Sequence, residues 1–196
     1  MAVFPRMGYH GATVRDLASA GGITVPTLYY YHGDKQRILF DLLRLGLREL
    51  LDRAAQARAS VAPDVDAELD RMVEVAVLHV VHRRQLATIE SETRFLEPHN
   101  RAEYLAMRSQ FDDQFLEIIE RGVDEGLFRL SYPREACRAI LGMIHSVAMW
   151  YQPAGSLSPP EVAHRHVRAA RRIVGASLVD DGRSAGGSGS SWGPPA

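Results

Sequence analysis

The sequence predicts an all-α protein, with a small front module of two tight helices and a larger helical bundle behind it. Apolar side chains recur at spacings of three and four through every long segment, as in Tyr104, Met107, Phe111, Phe115, Ile118, Ile119 and Gly122. That is the pattern of a helix with one face turned to a core. Between the segments stand Asp34, Ala62-Pro63, Pro98, Gly126, Pro133, Pro153 and Ser158-Pro159, residue types that cap, stop or restart helices.

Residues 13–35, TVRDLASAGGITVPTLYYYHGDK, are the stretch the rest of the chain serves. Thr13 is an N-cap whose side-chain oxygen can accept from a free N–H one turn on, and Val14, Leu17 and Ala18 then share a face. Gly21-Gly22 ends this first short helix, because glycine takes left-handed angles without a Cβ clash, and Ile23 is expected to plug the turn from beneath. Thr24 caps a second helix, and Pro26 lies in its first turn, where a missing N–H costs nothing. Thr27, Leu28, Tyr29, Tyr30 and Tyr31 follow before Gly33. Only Leu28 is plainly apolar, so this helix has one residue to bury and a surface of Thr and Tyr, suited to a DNA groove.

Asp34 caps a helix over residues 35–57 with a broad stripe of Ile38, Leu39, Leu42, Leu43, Leu45 or Gly46, Leu47, Leu50 and Leu51. At ~1.5 Å per residue it is about 34 Å long and joins the front to the body. A further helix starts near Val65 with Leu69, Met72, Val73, Ala76, Val77 and Val80 inward, and is expected to continue, with a bend, until just before Pro98. The Tyr104 to Gly122 pattern makes a long helix over 101–124, stopped by Gly126, with Leu127-Phe128 folding back as an apolar lid. Pro133 opens a helix carrying Ala136, Ile140, Met143, Ile144, Val147 and Trp150. Ser158-Pro159-Pro160-Glu161 reads as a capping box, and the helix after it places Val162, His166, Val167, Ala170, Ile173 and Val174 on one side. Residues 179–196 are rich in Gly and Ser and are expected to be disordered. The domains are therefore 1–50, 51–178 and a tail, 179–196.

Composition adds bounds. Residues 1–60 hold eight Lys/Arg against five Asp/Glu, whereas 61–130 hold eight against fifteen, so a basic front precedes an acidic middle, as suits a front that approaches phosphate. Lys35 is the only lysine and Cys137 the only cysteine. An intramolecular disulfide or a cysteine zinc site is thus excluded, in keeping with a reducing cytosol. No run of eighteen apolar residues and no signal-peptide pattern is present; the expected location is cytoplasmic, with no membrane partner.

The run GYHGATVRDLASAGGITVPTLYYYHGDKQRIL, residues 8–39, resembles the TetR-type transcriptional regulators. The resemblance implies a helix-turn-helix on a dimeric, all-helical protein whose partner is double-stranded DNA. By position it implies that Val25, Pro26, Thr27 and Tyr31 face bases or the groove, and that Thr13, Arg15, Tyr29, Tyr30 and Lys35 bind phosphates, with Thr24 at the start of the recognition helix. Helix N-termini and hydroxyls hold register on the backbone while small groups touch base edges. The resemblance also implies that the last two helices pair with those of a second copy as a four-helix interface. Two departures stand out. His32 occupies the place of an inward-packing aromatic residue, and is expected to be a partly buried, hydrogen-bonded histidine. The long helix that family members place before Gly-Tyr is represented here by residues 1–7, where Phe4 is its apolar relic and Pro5 argues against a helix. Loss of that helix would uncover Val14, Leu17 and Leu28, and the expectation is a start codon further upstream. The competing reading is a dimeric helical ligand-binding or interaction protein that has lost DNA binding by truncation.

Nothing in the sequence argues for catalysis, a cofactor or a metal. His79 and His82 lie three apart with no third ligand fixed, and Glu161-x-x-His164 occurs once where a di-iron bundle needs it on two helices. There is no Gly-x-Ser-x-Gly elbow and no glycine-rich phosphate loop. A small-molecule effector pocket between facing helices is expected instead, with His79, Arg83, Phe95, Met107, Phe111, Phe115, Met143 and Trp150 as its candidate lining. The run Trp150 to Gly155 with Leu157-Ser158-Pro159 and Glu161 is similar to a branch of the family that responds to acyl-CoA thioesters, in which case Arg83, Arg94 or Arg108 would meet the CoA phosphates. The resulting expectation is a ligand-responsive repressor released from a palindromic operator by a small apolar or acyl-CoA-like ligand.

Overall fold

A computed structural model describes residues 3–177, and the expected disordered tail lies outside the described residues. All the elements among them are helical: α1 Val3–Gly11, α2 Val14–Ala20, α3 Val25–His32, α4 Lys35–Ala59, α5 Val65–His82, α6 Arg84–Ile89, a 3₁₀ segment Glu90–Phe95, α7 Pro98–Asp124, α8 Pro133–Trp150 and α9 Pro159–Ile173.

The bundle is built around α5, which packs on α4, α7, α8 and α9. Its Leu69, Met72, Val73 and Val77 are fully enclosed, each worth ~1.5–3 kcal/mol when removed from water. Asp64 caps it, accepting from Ala67 N–H at 3.0 Å. Two charged anchors fix its neighbours. The buried carboxylate of Glu68 takes Arg58 Nε of α4 at 3.1 Å and the Arg121 guanidinium of α7 at 3.1 Å. Arg171 of α9 grips Asp70 with two nitrogens at 2.8 and 2.9 Å. A fork on a carboxylate sets helix rotation as well as distance.

The ends of the later helices follow the punctuation. Gly126 takes φ +73°, and the chain doubles back so that Phe128 lies against Gly122, where a Cβ would come within 2.1 Å of the ring. The apolar lid is therefore Phe128 alone, since Leu127 is exposed. Glu161 accepts from the Ser158 N–H at 2.9 Å and its hydroxyl at 2.7 Å, closing the capping box of α9.

Several expectations need correction. Residues 3–11 are helical despite Pro5, because Pro5 lies in the first turn, whose N–H groups have no partner in any case. The run then breaks at Gly8, φ +67°. Phe4 is buried in one core with Leu17 and Leu28, so those residues are covered and only Val14 is half-open. The helix from Val65 stops at His82, where Arg83 leaves helical angles (φ −111°, ψ 27°), and the chain to Pro98 is α6 and the 3₁₀ segment. On α4 the core position is Gly46, and Leu45 faces solvent. Ile23 is also exposed rather than a plug; the residues of α2 and α3 that reach the core are Leu17, Ala18 and Leu28.

Candidate nucleic-acid interface and effector cavity

α2 and α3 are shaped by their caps. The Thr13 hydroxyl accepts from Asp16 N–H at 3.1 Å, and the Asp16 carboxylate takes the Thr13 N–H at 2.9 Å, a reciprocal box that also holds the carboxyl pKa below its usual range. Thr24 Oγ1 accepts from Thr27 N–H at 3.3 Å and shares a hydroxyl hydrogen bond with Thr27 Oγ1 at 2.8 Å. Gly22 at φ +65° and Gly33 at φ +73° supply the left-handed residues that the turn and the end of α3 require. The result is an α3 that buries Leu28 and presents Pro26, Tyr29, Tyr30 and Tyr31 to solvent, with Tyr30 at 84 %. Thr13, Arg15 and Thr24 are exposed on the adjoining element. Val25 is half-buried against the core and Thr27 is half-open, so of the predicted groove residues Val25 is the least available. Lys35 Nζ sits over the Tyr9 ring, 4.4 Å from its centroid, where burial lowers its pKa; the ring holds the ammonium. His32 Nδ1–H donates to the Asp41 carboxylate at 3.0 Å, the hydrogen-bonded, half-buried role expected of it.

The front module is fastened to the bundle by the 3₁₀ segment. Tyr9 N–H donates to Glu92 at 2.6 Å, and the Tyr9 and His10 rings pack on Phe95 with centroids 5.6 and 4.4 Å away. Gln36 spans the joint, donating to Phe95 O and accepting from Glu97 N–H at 3.0 Å.

A cavity of about 40 Å³ lies in the bundle between α4, α5, α6, α7 and α8. Leu43, Leu47, Leu50, Val80, Phe111 and Ile144 form apolar walls, and a polar end is made by Glu90, Tyr104, Arg108 and His145. Arg108 organises that end, reaching Glu90 at 3.3 Å, Asp112 at 3.2 Å and the His145 ring. Tyr104 donates to Glu90 at 3.2 Å. Burial pushes the Glu90 and Asp112 carboxyls up against the opposing pull of Arg108, and burial likewise raises the Tyr104 phenol. His79 and His145 are both lowered to about 4, chiefly by burial, so both rings are neutral near pH 7. His79 Nδ1 is buried with no hydrogen-bond partner among the described residues.

Of the predicted pocket residues, His79 and Phe111 line this cavity. The others serve elsewhere. Arg83 lies on the outer surface in a two-pronged pair with Glu49 at 2.9 Å, because the break after His82 turns it outward. Phe95 belongs to the joint with Tyr9 and His10. Phe115 packs behind Phe111, with ring centroids 5.3 Å apart, and Met107 and Met143 pack partly against the core beyond the cavity lining. Trp150 is 45 % exposed and stacks on His166, 6.1 Å between centroids. Of the arginines considered for CoA phosphates, Arg94 lies over Phe95 and Arg108 is committed to two carboxylates. Glu90, Tyr104 and His145 were missed as cavity residues. The signal available was Tyr104 on the inward face of the long helix with Arg108 one turn on.

A recognition helix with one buried residue, mounted on a bundle with an internal cavity, defines a helix-turn-helix regulator. Comparison with known proteins agrees. Residues 1–42 match the family described as "Bacterial regulatory proteins, tetR family", and residues 62–174 match "Tetracyclin repressor-like, C-terminal domain". The chain belongs to the TetR family and is a DNA-binding transcriptional regulator. It is 28 % identical over 168 residues to the HTH-type transcriptional repressor KstR2 of Rhodococcus jostii (strain RHA1), spanning 84 % of this chain and 82 % of that one. Among solved structures it is similar to the TetR family regulator PfmR of Thermus thermophilus, at TM-score 0.78 and 27 % identity over 90 % of this chain and 94 % of the other. It also shares its fold with AibR, solved in complex with isovaleryl coenzyme A and operator DNA, at TM-score 0.77 and 21 % identity, covering 89 % and 93 %. Among the described residues no helix is long and apolar enough to cross a membrane.

Proposed function

We propose that this regulator is a cytoplasmic repressor that binds a palindromic operator as a homodimer and leaves it when a small amphipathic molecule, of which an acyl-CoA thioester is the favoured class, enters the bundle. The observation that carries the reading is α3: only Leu28 among its eight residues is buried, while the protein uses caps at both ends to keep it helical. Pro26, Thr27 and Tyr31 read the groove, and Thr13, Arg15, Tyr29, Tyr30 and Lys35 hold phosphates. Two such helices about one turn of DNA apart, ~34–36 Å, need a two-fold partner, which α8 and α9 provide, the end of α8 carrying the exposed Met149 and Trp150. The effector class is supported by the cavity. Arg108 at its polar end already answers two carboxylates, Glu90 in the lining and Asp112 outside it, so a free carboxylic acid would add a third negative charge around one guanidinium, whereas a thioester carbonyl adds only an acceptor. The AibR complex with isovaleryl coenzyme A is consistent with that choice.

The test is selection of bound sequences from random duplex DNA with the full chain, then fluorescence anisotropy on the selected site. Thr27→Ala is expected to weaken that site selectively. Lys35→Ala is expected to weaken every duplex about equally and lower the salt slope by about one. Isovaleryl-CoA and longer acyl-CoAs are expected to release the DNA where the free acids do not. Retention unchanged in both variants refutes the interface; release by the acids as readily as by the thioesters refutes the effector class.

A further inference from the structure

On the outside of the bundle, against the cavity, lies an open groove of about 520 Å³ lined by Leu42, Leu45, Glu49, His82, Arg83, Arg84 and Leu86 among others. Leu86 is the residue common to the linings of groove and cavity. It rests on Gly46 of α4, where a Cβ would lie 2.9 Å from Leu86 Cδ1. Glycine inside a helix is disfavoured relative to alanine, and here the space of its missing side chain is filled by the leucine. At about 40 Å³ the cavity has room for roughly two or three water-sized groups, so an organic ligand fits only if a wall moves. The candidate wall is the one on the weakest element: α6 is six residues long, starts without a side-chain cap, and follows the non-helical Arg83.

Building on the effector reading above, we propose that groove and cavity are two compartments of a single ligand site, with Leu86 as the door and Gly46 as its seat. The site takes an elongated amphiphile. Its slender apolar tail passes Leu86 into the cavity, and its anionic head stays in the groove beside His82 and Arg84. Arg83 is already neutralised by Glu49 and serves as the groove wall. The tail displaces Leu86 from α4, the helix that carries the front module, so occupancy is registered where it matters for DNA.

The test introduces a thiol inside the cavity, Ala76→Cys, in the full chain, and follows its reaction with a methanethiosulfonate reagent. Native Cys137, buried outside the cavity lining, is the internal standard for general loosening. Labelling tracks the open population when opening is fast. Leu86→Ala and Gly46→Ala, which unseats the leucine, are each expected to raise the ratio of cavity to Cys137 labelling about tenfold. Leu42→Ala, which changes the groove lining but not the cavity lining, is expected to leave the ratio unchanged. Decyl phosphate, an anionic head on an unbranched chain, is expected to protect the cavity thiol, butyl phosphate not, and Arg84→Ala to weaken the protection severalfold. An unchanged ratio in both door variants overturns the door, and equal protection by both phosphates, or by neither, overturns the two-compartment site. Both results stand apart from DNA release: labelling can respond in a protein whose DNA binding ignores acyl-CoA, and the reverse.

Discussion

Replacing Arg108 by Met should cost stability in a pH-dependent way whose sign follows from the polar end of the cavity. Arg108 is 14 % exposed and is the cation that faces both Glu90 and Asp112. Breaking a buried pair by removing one partner costs ~3–5 kcal/mol, but the Glu90 side chain is 37 % exposed and Asp112 40 %, so solvent reduces the expectation to about 1.5–3 kcal/mol. In the variant the two carboxyls, already raised, have no cation beside them and rise further. The folded state then holds protons that the unfolded state releases, and the deficit relative to the parent protein shrinks as pH falls from 8 towards 5. Arg108 also adds to the lowering of His145, so its removal lets that ring protonate more easily when folded, which works in the same direction. The assay is urea denaturation of both proteins at pH 8, 6.5 and 5, with Glu90→Gln added to the variant. The double substitution should recover about half the loss, because it removes one of the two stranded charges. A deficit that is constant with pH, or no recovery on adding Glu90→Gln, would show that Arg108 acts by packing on Phe111 and not by charge.

Three further outcomes are expected. The parent protein should lose stability as pH falls from about 6.5 to about 4, because His79 and His145 stay neutral when folded and protonate when unfolded; the contribution is roughly 3 kcal/mol per ring at most. It is offset in part by Glu90, whose raised pKa acts in the opposite sense, and His79→Leu should flatten the profile measured by urea midpoints, a steeper one refuting the assignment. Gly122→Ala puts a methyl inside the Phe128 ring, so the ring must leave its site at a cost of about 2–4 kcal/mol; a melting temperature within a degree of the parent would contradict the close approach. Thr13→Ala removes one half of the capping box and should cost about 1 kcal/mol, read by thermal melts at pH 7, with no loss meaning that Asp16 alone holds the helix end.

What the sequence made legible was short-range. Thr13, Thr24, Asp34 and Ser158 were readable as caps because a cap is a bond between a side chain and a backbone N–H three residues away, and all four stand at helix starts. The inward stripe of α7 was readable because a periodic apolar face has one way to be buried. Adjacent leucines on α4 were not so decisive. The choice between Leu45 and Gly46 depends on Leu86, forty residues on, which fills the space a Cβ would need.

The region that escaped was 83–95, and the reason is physical. Helices usually end at glycine or before proline, and VVHRRQLATIESETRFL contains neither, so nothing local announces the break at Arg83. Tertiary partners make the break worthwhile: Arg83 turns out to Glu49, Arg84 reaches Ala148 O at 3.1 Å, Leu86 drops onto Gly46, and Glu92 and Phe95 reach back to Tyr9. A continuous helix would carry these five side chains around its axis at about 100° per residue and could satisfy only those on one face. The same segment therefore walls the cavity at Leu86, Ala87 and Glu90 and holds the front module at Glu92 and Phe95. One segment thus touches both the cavity and the front module, and the irregularity that hid it from a pattern-based reading is what lets it face both ways.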